Sequence, residues 1–139
     1  MLMIRIICFL GTLAVVEGEI QNLHWMAPFF SGGGYCSEAT SYLLALQNGN
    51  RSSIPLTSVT IDHHGDGYNR DYVAGLPQDL KQMLMDAYSK PVEYAKSIVV
   101  CHSEPGAWAP SLYPTSICPP RTAAYAIGRT MFEVSSQDK

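Results

Sequence analysis

Apolar residues in this chain fall into short runs separated by turn-forming residues. An apolar run over residues 23–30, with Trp25 and Met26, gives way to Gly32-Gly33-Gly34, and an amphipathic segment follows at once. There Ala39, Tyr42, Leu43 and Leu46 recur at i, i+3, i+4 and i+7, one face of a helix, and Asn48-Gly49 supplies the stop. The pattern predicts a strand, a tight glycine turn and a first helix over residues 35–47. Residues 51–55 read as a loop, and residues 56–61 (LTSVTI) are β-branched and alternating, a second strand. It runs into Asp62-His63-His64-Gly65-Asp66 and a polar loop out to Leu76.

Pro77 then opens a second helix at the first helical position, where a missing N–H costs nothing, with Asp79 in the first turn. Leu80, Met83, Leu84, Ala87 and Tyr88 share one face, and Pro91 ends the segment. Residues 97–101 (SIVVC) lack alternation and predict a strand buried on both faces. That strand leads into His102-Ser103-Glu104-Pro105-Gly106. Residues 107–121 are a loop rich in Pro, Ser and Tyr, residues 124–132 (AYAIGRTMF) a fourth strand, and residues 135–139 a frayed polar tail. Strands alternating with helices imply an α/β fold: a Rossmann-like parallel sheet with flanking helices. Ligands bind such open sheets at the carboxyl ends of the strands, near a switch in strand order.

The first eighteen residues have a different composition. Arg5 precedes an apolar run over residues 6–16, and Val16 and Gly18 stand at the minus-three and minus-one positions of a cleavage site. The run is shorter than the ~20 residues a bilayer span needs. Residues 1–18 are therefore expected to be a signal peptide or an uncleaved signal anchor, with residues 19–134 as the folded domain. A strand over residues 4–13 is the competing reading, but no helix-length segment separates it from the next strand, as a parallel crossover requires. The expected location is the secretory pathway, where Asn50-Arg51-Ser52 is a glycosylation sequon that makes Asn50 the acceptor.

At 139 residues, 47% apolar and 15% charged with a net charge of −3, the chain is an ordinary single domain with no basic patch for nucleic acid. Cys8 leaves with the signal, and Cys36, Cys101 and Cys118 allow one bridge at most. Cys101, inside an apolar run, reads as a buried free thiol.

The candidate chemistry gathers at the strand ends. Three glycines let the backbone approach a ligand closely, and the helix that follows offers unpaired amides suited to a phosphate. The spacing is neither G-x-G-x-x-G nor a Walker A loop, so a plain turn competes with this reading. The histidines at 24, 63, 64 and 102 include no H-E-x-x-H or His-x-His pair, so no metal is expected. His102-Ser103-Glu104 has the spacing of a zinc-deaminase H-x-E, but Cys118-Pro119-Pro120-Arg121 offers no P-C-x-x-C partner. A serine nucleophile lacks its G-x-S-x-G elbow. Cys36 beside a helix start is read as structural, and His24 and Trp25 as packing residues. His63 and His64 suit a base or a donor to a sugar hydroxyl. Arg129 and Glu133 flank the end of the fourth strand and Asp66 follows the second, all as rim residues.

The runs WMAPFFSGGGYCSEA, IDHHGD, VVCHSEPGAW and YAIGRTMFE resemble the N-terminal half of a plant and algal glycosyltransferase family, similar to the retaining family 4 type with the GT-B fold. The resemblance covers residues 23–133. It implies an incomplete N-terminal domain of a two-domain enzyme that transfers a sugar from a nucleotide-sugar donor to an acceptor, with no separate cofactor. It further implies that Gly32, Gly33 and Gly34 approach the donor phosphates, and that His63, His64 and Glu104 line the acceptor site in catalytic roles. The second, donor-binding domain is not among these residues, so the chain alone is expected to be inactive, and association with a full-length relative is expected. The alternative from the residues alone is a non-catalytic α/β binding or pairing module.

Overall fold

The computed structural model describes residues 4–9, 12–17, 19–48, 58–108 and 116–131; Asn50 and Glu133 lie outside the described residues. Two strands at the start, β1 (Ile4–Phe9) and β2 (Thr12–Glu17), pair antiparallel in a sheet of their own. A parallel strand here would need a crossover that the chain lacks, whereas an antiparallel pair needs only a tight turn.

The domain proper is built on four strands: β3 (Asn22–Ala27), β4 (Ser58–His63), β5 (Ser97–His102) and β6 (Tyr125–Arg129). They form one sheet in the order β4-β3-β5-β6, and every pairing is parallel. Between them run α1 (Gly34–Asn48), a short α2 (Arg70–Gly75) and α3 (Gln78–Ser89). This is the α/β parallel sheet with flanking helices that the alternation of elements predicts.

Trp25 sits beside Ile61 of β4 and Val100 of β5 in register. The pleat then sends Trp25 and Ala27 to one side of the sheet and His24 and Met26 to the other. The larger core cluster joins Ala27 and Ile61 to Phe29, Phe30, Ala39, Leu43, Val73, Leu84 and Ala87, so the apolar stripes of α1 and α3 are spent here. A smaller cluster joins Met26, Val99, Cys101 and Cys118, with Tyr94, Trp108 and Ala123 packed against it. Phe29, Met26, Leu43 and Leu84 are fully buried, and each contributes about 1.5–3 kcal/mol relative to exposure. By contrast β6 is exposed along four of its five residues and forms a sheet edge.

Three expectations need correction. Cys101 is no free thiol: it is bonded to Cys118, with Cα atoms 5.8 Å apart, and Cys36 is the buried free cysteine among the described residues. The loop drawn out to Leu76 contains α2, whose N-cap Asn69 accepts a hydrogen bond from the Tyr72 amide at 3.0 Å, the usual capping chemistry of an Asn side chain. Pro77 caps α3 rather than opening it, one residue earlier than the rule for proline places it. Among the described residues no helix is long and apolar enough to cross a membrane.

Candidate functional site

The chain leaves β3 for β4 on one side and then returns past it to β5 on the other. The direction of winding therefore reverses at the carboxyl ends of β3 and β5, the place where open parallel sheets hold ligands. Three loops meet there.

The loop after β3 turns tightly, with the Phe29 amide donating to the Ala27 carbonyl at 2.8 Å and the Ser31 amide to the Pro28 carbonyl at 3.0 Å. Gly32 has φ +82°, and a Cβ there would lie 3.0 Å from the Tyr72 ring, so both backbone and space call for glycine. The loops after β4 and β5 touch at Gly65, where φ is +89° and a Cβ would lie 2.7 Å from the Ser103 Cβ. Ser103 cannot easily retreat, since its Oγ accepts from the Trp108 indole at 3.0 Å.

The cleft enclosed has a volume of about 210 Å³ and is lined by Pro28, Ser31, Gly33, Gly34 and Tyr35 on one side and Gly65, Asp66 and Glu104 on the other. Gly33, Gly34, Asp66 and Glu104, drawn from all three strand ends, are thus brought together. Among the described residues that line it there is no lysine, arginine or histidine. The Gly33 amide donates to Ser31 Oγ at 3.3 Å, and Asp66 Oδ2 lies 3.9 Å from where a Gly33 Cβ would be. The other Asp66 oxygen accepts from the Gly67 amide at 2.7 Å. The start of α1, which the glycine triplet suggests as an anion seat, thus faces a carboxylate. A helix N-terminus favours an anion by about 0.3–1 kcal/mol.

His63 and His64 lie elsewhere. His63 Nδ1 accepts from the Phe30 amide at 3.3 Å and its ring packs against Phe30 and Tyr68. Its Nε2 is buried with no hydrogen-bond partner among the described residues. His64 is wholly buried; its Nε2–H donates to the Ser116 carbonyl at 2.6 Å, and its backbone amide donates to Ala27 at 2.9 Å. Burial lowers the pKa of both against the opposing pull of nearby acids. They fasten loops to the sheet and contribute nothing to the cleft wall.

Arg129 is also outside that wall. It is paired with Glu38 of α1, whose other oxygen meets His102 Nε2 at 2.9 Å. His102 is fully buried, and its Nδ1 accepts from the Trp25 indole at 3.0 Å. Because an indole N–H only donates, Nδ1 is the bare nitrogen and Nε2 carries the proton toward Glu38. Burial holds the His102 pKa below the ordinary imidazole value despite Glu38. For Glu38, burial pushes its pKa upward, but the hydrogen bonds from His102 and Arg129 outweigh this and hold it below the usual value. That relay runs from sheet to rim; beside it the Tyr35 hydroxyl bonds Thr130 Oγ1 at 3.0 Å and accepts from the Met131 amide at 3.1 Å. It ties the first turns of α1 to the chain after β6.

Sequence reasoning misses Glu38 and His102 as partners. The available signal is the second stripe on α1, where Tyr35, Glu38 and Tyr42 recur at i, i+3 and i+7 beside the apolar face. A carboxylate between two aromatics on a helix flank asks for a buried donor. Among the described residues no group of three or more His, Cys, Asp or Glu could hold a metal ion. No protein family, curated protein or solved structure matches the chain.

Proposed function

We propose that this chain is a Rossmann-like glycosyltransferase domain resembling the N-terminal part of GT-B enzymes, acting in the secretory pathway on a nucleotide-sugar donor and an acceptor. The observation that carries the reading is the meeting of the glycine turn, Asp66 and Glu104 in one cleft at the switch between β3 and β5. The resemblance of SGGGY, HSEPGAW and GRTMFE to that enzyme family points the same way. Carboxylates accept hydrogen bonds from sugar hydroxyls and orient them, and one within reach of an acceptor hydroxyl can take its proton as transfer proceeds. The Cys101–Cys118 bridge supports an oxidising compartment.

The test is ligand-observed NMR on the purified chain with a panel of nucleotide sugars and free hexoses. Saturation transfer to sugar protons, weakened in Asp66→Asn and Glu104→Gln, is the expected result. Absence of transfer from every member of the panel would overturn the reading.

The edge strand β6 favours a second reading, a binding or pairing module. Ile127 in β6 is 52% exposed and Met131, just past the strand, 38% exposed, an apolar margin on the outermost described strand. Light scattering over a concentration series separates the two: a strictly monomeric chain that binds sugars removes the pairing reading.

A further inference from the structure

We infer that His102 is a proton-operated clasp: one proton taken up at its Nδ1 breaks the bond to Trp25 and loosens α1 from β6. The inference stands apart from the glycosyltransferase reading and concerns how the outermost described strand is held. The imidazole has two neighbours of opposite demand. The Trp25 indole of β3, which only donates, gives its proton to Nδ1 at 3.0 Å, and Nε2 donates to Glu38 of α1 at 2.9 Å. Both bonds require the neutral ring with its proton on Nε2. A second proton has only Nδ1 to go to, and there it meets the indole N–H, donor against donor. Turning the ring over gives no relief, because an imidazolium donates from both nitrogens and, among the described residues, Glu38 is the acceptor it has.

The surroundings carry that conflict outward. His102 is fully buried, with the rings of Trp25, Tyr35 and Tyr42 at centroid distances of 5.7, 5.8 and 6.1 Å. The charged groups that face it are Glu38 on α1 and Arg129 on β6, and the other titratable groups against it are the Tyr35 and Tyr42 phenols of α1. Trp25 is itself stacked on Tyr42 at 5.5 Å, so an indole that yields pushes on α1. Glu38, once His102 turns from it, keeps only Arg129, and a pair as open to solvent as that one holds weakly. Beyond its ladder with β5, β6 has little apolar packing, four of its five residues being exposed.

The experiment is NMR on the whole chain between pH 7.5 and 5.5, a range in which Glu38, held below its usual value, stays ionised. The neutral His102 ring is expected to show the Nε2–H tautomer in its nitrogen shifts. Hydrogen exchange of the Trp25 indole and of the Met131 amide, which donates to the Tyr35 hydroxyl, reports how often the clasp is open once corrected for intrinsic rate. That opening is expected to grow about tenfold over the range, following protonation of an imidazole of ordinary pKa 6.5 in the open form, and to exceed the opening of β3 amides at every pH. In His102→Gln, whose side-chain oxygen accepts from the indole and whose nitrogen donates to Glu38, the change should fall to within about twofold. In Trp25→Phe, which removes the opposing donor, His102 should titrate about one pH unit or more higher than in the unaltered chain, a shift that a purely packing role does not produce. A neutral ring protonated at Nδ1, an opening that does not change with pH, or a tenfold change that survives in His102→Gln would each overturn the inference. If His102→Gln does not fold, Trp25→Phe decides, and a His102 titration unmoved there overturns it.

Discussion

The contact between the loops after β4 and β5 rests on Gly65, and replacing it by alanine tests how the cleft is held. At φ +89° an L-residue pays about 1–2 kcal/mol for its Cβ. That Cβ would stand 2.7 Å from the Ser103 Cβ and 2.8 Å from its Oγ. Overpacking of this kind costs about 1–3 kcal/mol. Relief by moving Ser103 is obstructed, because it is 1% exposed and its hydroxyl holds the Trp108 indole. The alanine stiffens the unfolded chain and recovers about 0.4–1 kcal/mol. The net expectation for Gly65→Ala is a destabilisation of about 1–5 kcal/mol, centred near 3, read as a lower urea midpoint at unchanged slope. Gly67→Ala is the control, because a Cβ there meets nothing within 4 Å and its change should stay within about 0.5 kcal/mol. Adding Ser103→Gly to Gly65→Ala removes the clash and should recover about 1 kcal/mol or more as a coupling energy. If Gly65→Ala unfolds at the same urea concentration as the unaltered chain, the apposition of the two loops is not what the geometry says.

Removal of the disulfide by Cys118→Ser opens a loop spanning a sequence separation of 17 and should cost about 3 kcal/mol by the chain-entropy relation, measured by denaturant titration; an unchanged midpoint would show the bridge to be absent in solution. The pH dependence follows from the histidines. Burial lowers the His24 pKa to about 4, from an ordinary value of 6.5. Between those values the unfolded chain binds the proton and the folded chain does not, so stability falls as pH drops from 6.5 toward 4. The gap at 1.36 kcal/mol per pH unit gives about 3 kcal/mol. His63, His64 and His102 are lowered as well and act with the same sign, and Glu38, held below its usual value, adds a further loss at acid pH. Asp62, raised by burial, opposes them. Urea midpoints that do not fall between pH 6.5 and 4 would contradict the burial of these rings.

Much of the fold is legible in local pattern. The Ala39-Leu43 stripe gives α1, and the unbroken SIVVC run gives a strand buried on both faces. Glu104 and Asp66 are legible as cleft-lining residues because they follow strands closely and parallel sheets place such positions at one rim. What local pattern does not carry is register and partner choice. β4 ends at His63, two residues later than alternation suggests, and that carries the His63 ring to the Phe30 amide. The bond between His102 and Glu38 spans 64 residues, and Cys101 meets Cys118 across a sequence separation of 17. A histidine that satisfies a backbone group and one that faces a ligand have the same sequence signature.

The distribution of histidines explains why the cleft has the polarity it has. His24 bonds Thr60 at 2.8 Å, His64 holds Ser116, His102 bridges Trp25 and Glu38, and all three rings are at most 2% exposed. Each uses at least one ring nitrogen to fix one strand or loop to another, and burial lowers the pKa of each. The positive charge a histidine could bring to the switch point is thereby withheld, and Arg129 is withheld by Glu38. The glycine turn keeps its sharp geometry for another purpose, letting α1 start close to β3 while Tyr72 fills the space behind Gly32. The described residues lining the cleft accordingly bring two acidic side chains, Asp66 and Glu104, and the Ser31 hydroxyl, while the Tyr35 hydroxyl is engaged with Thr130 and Met131.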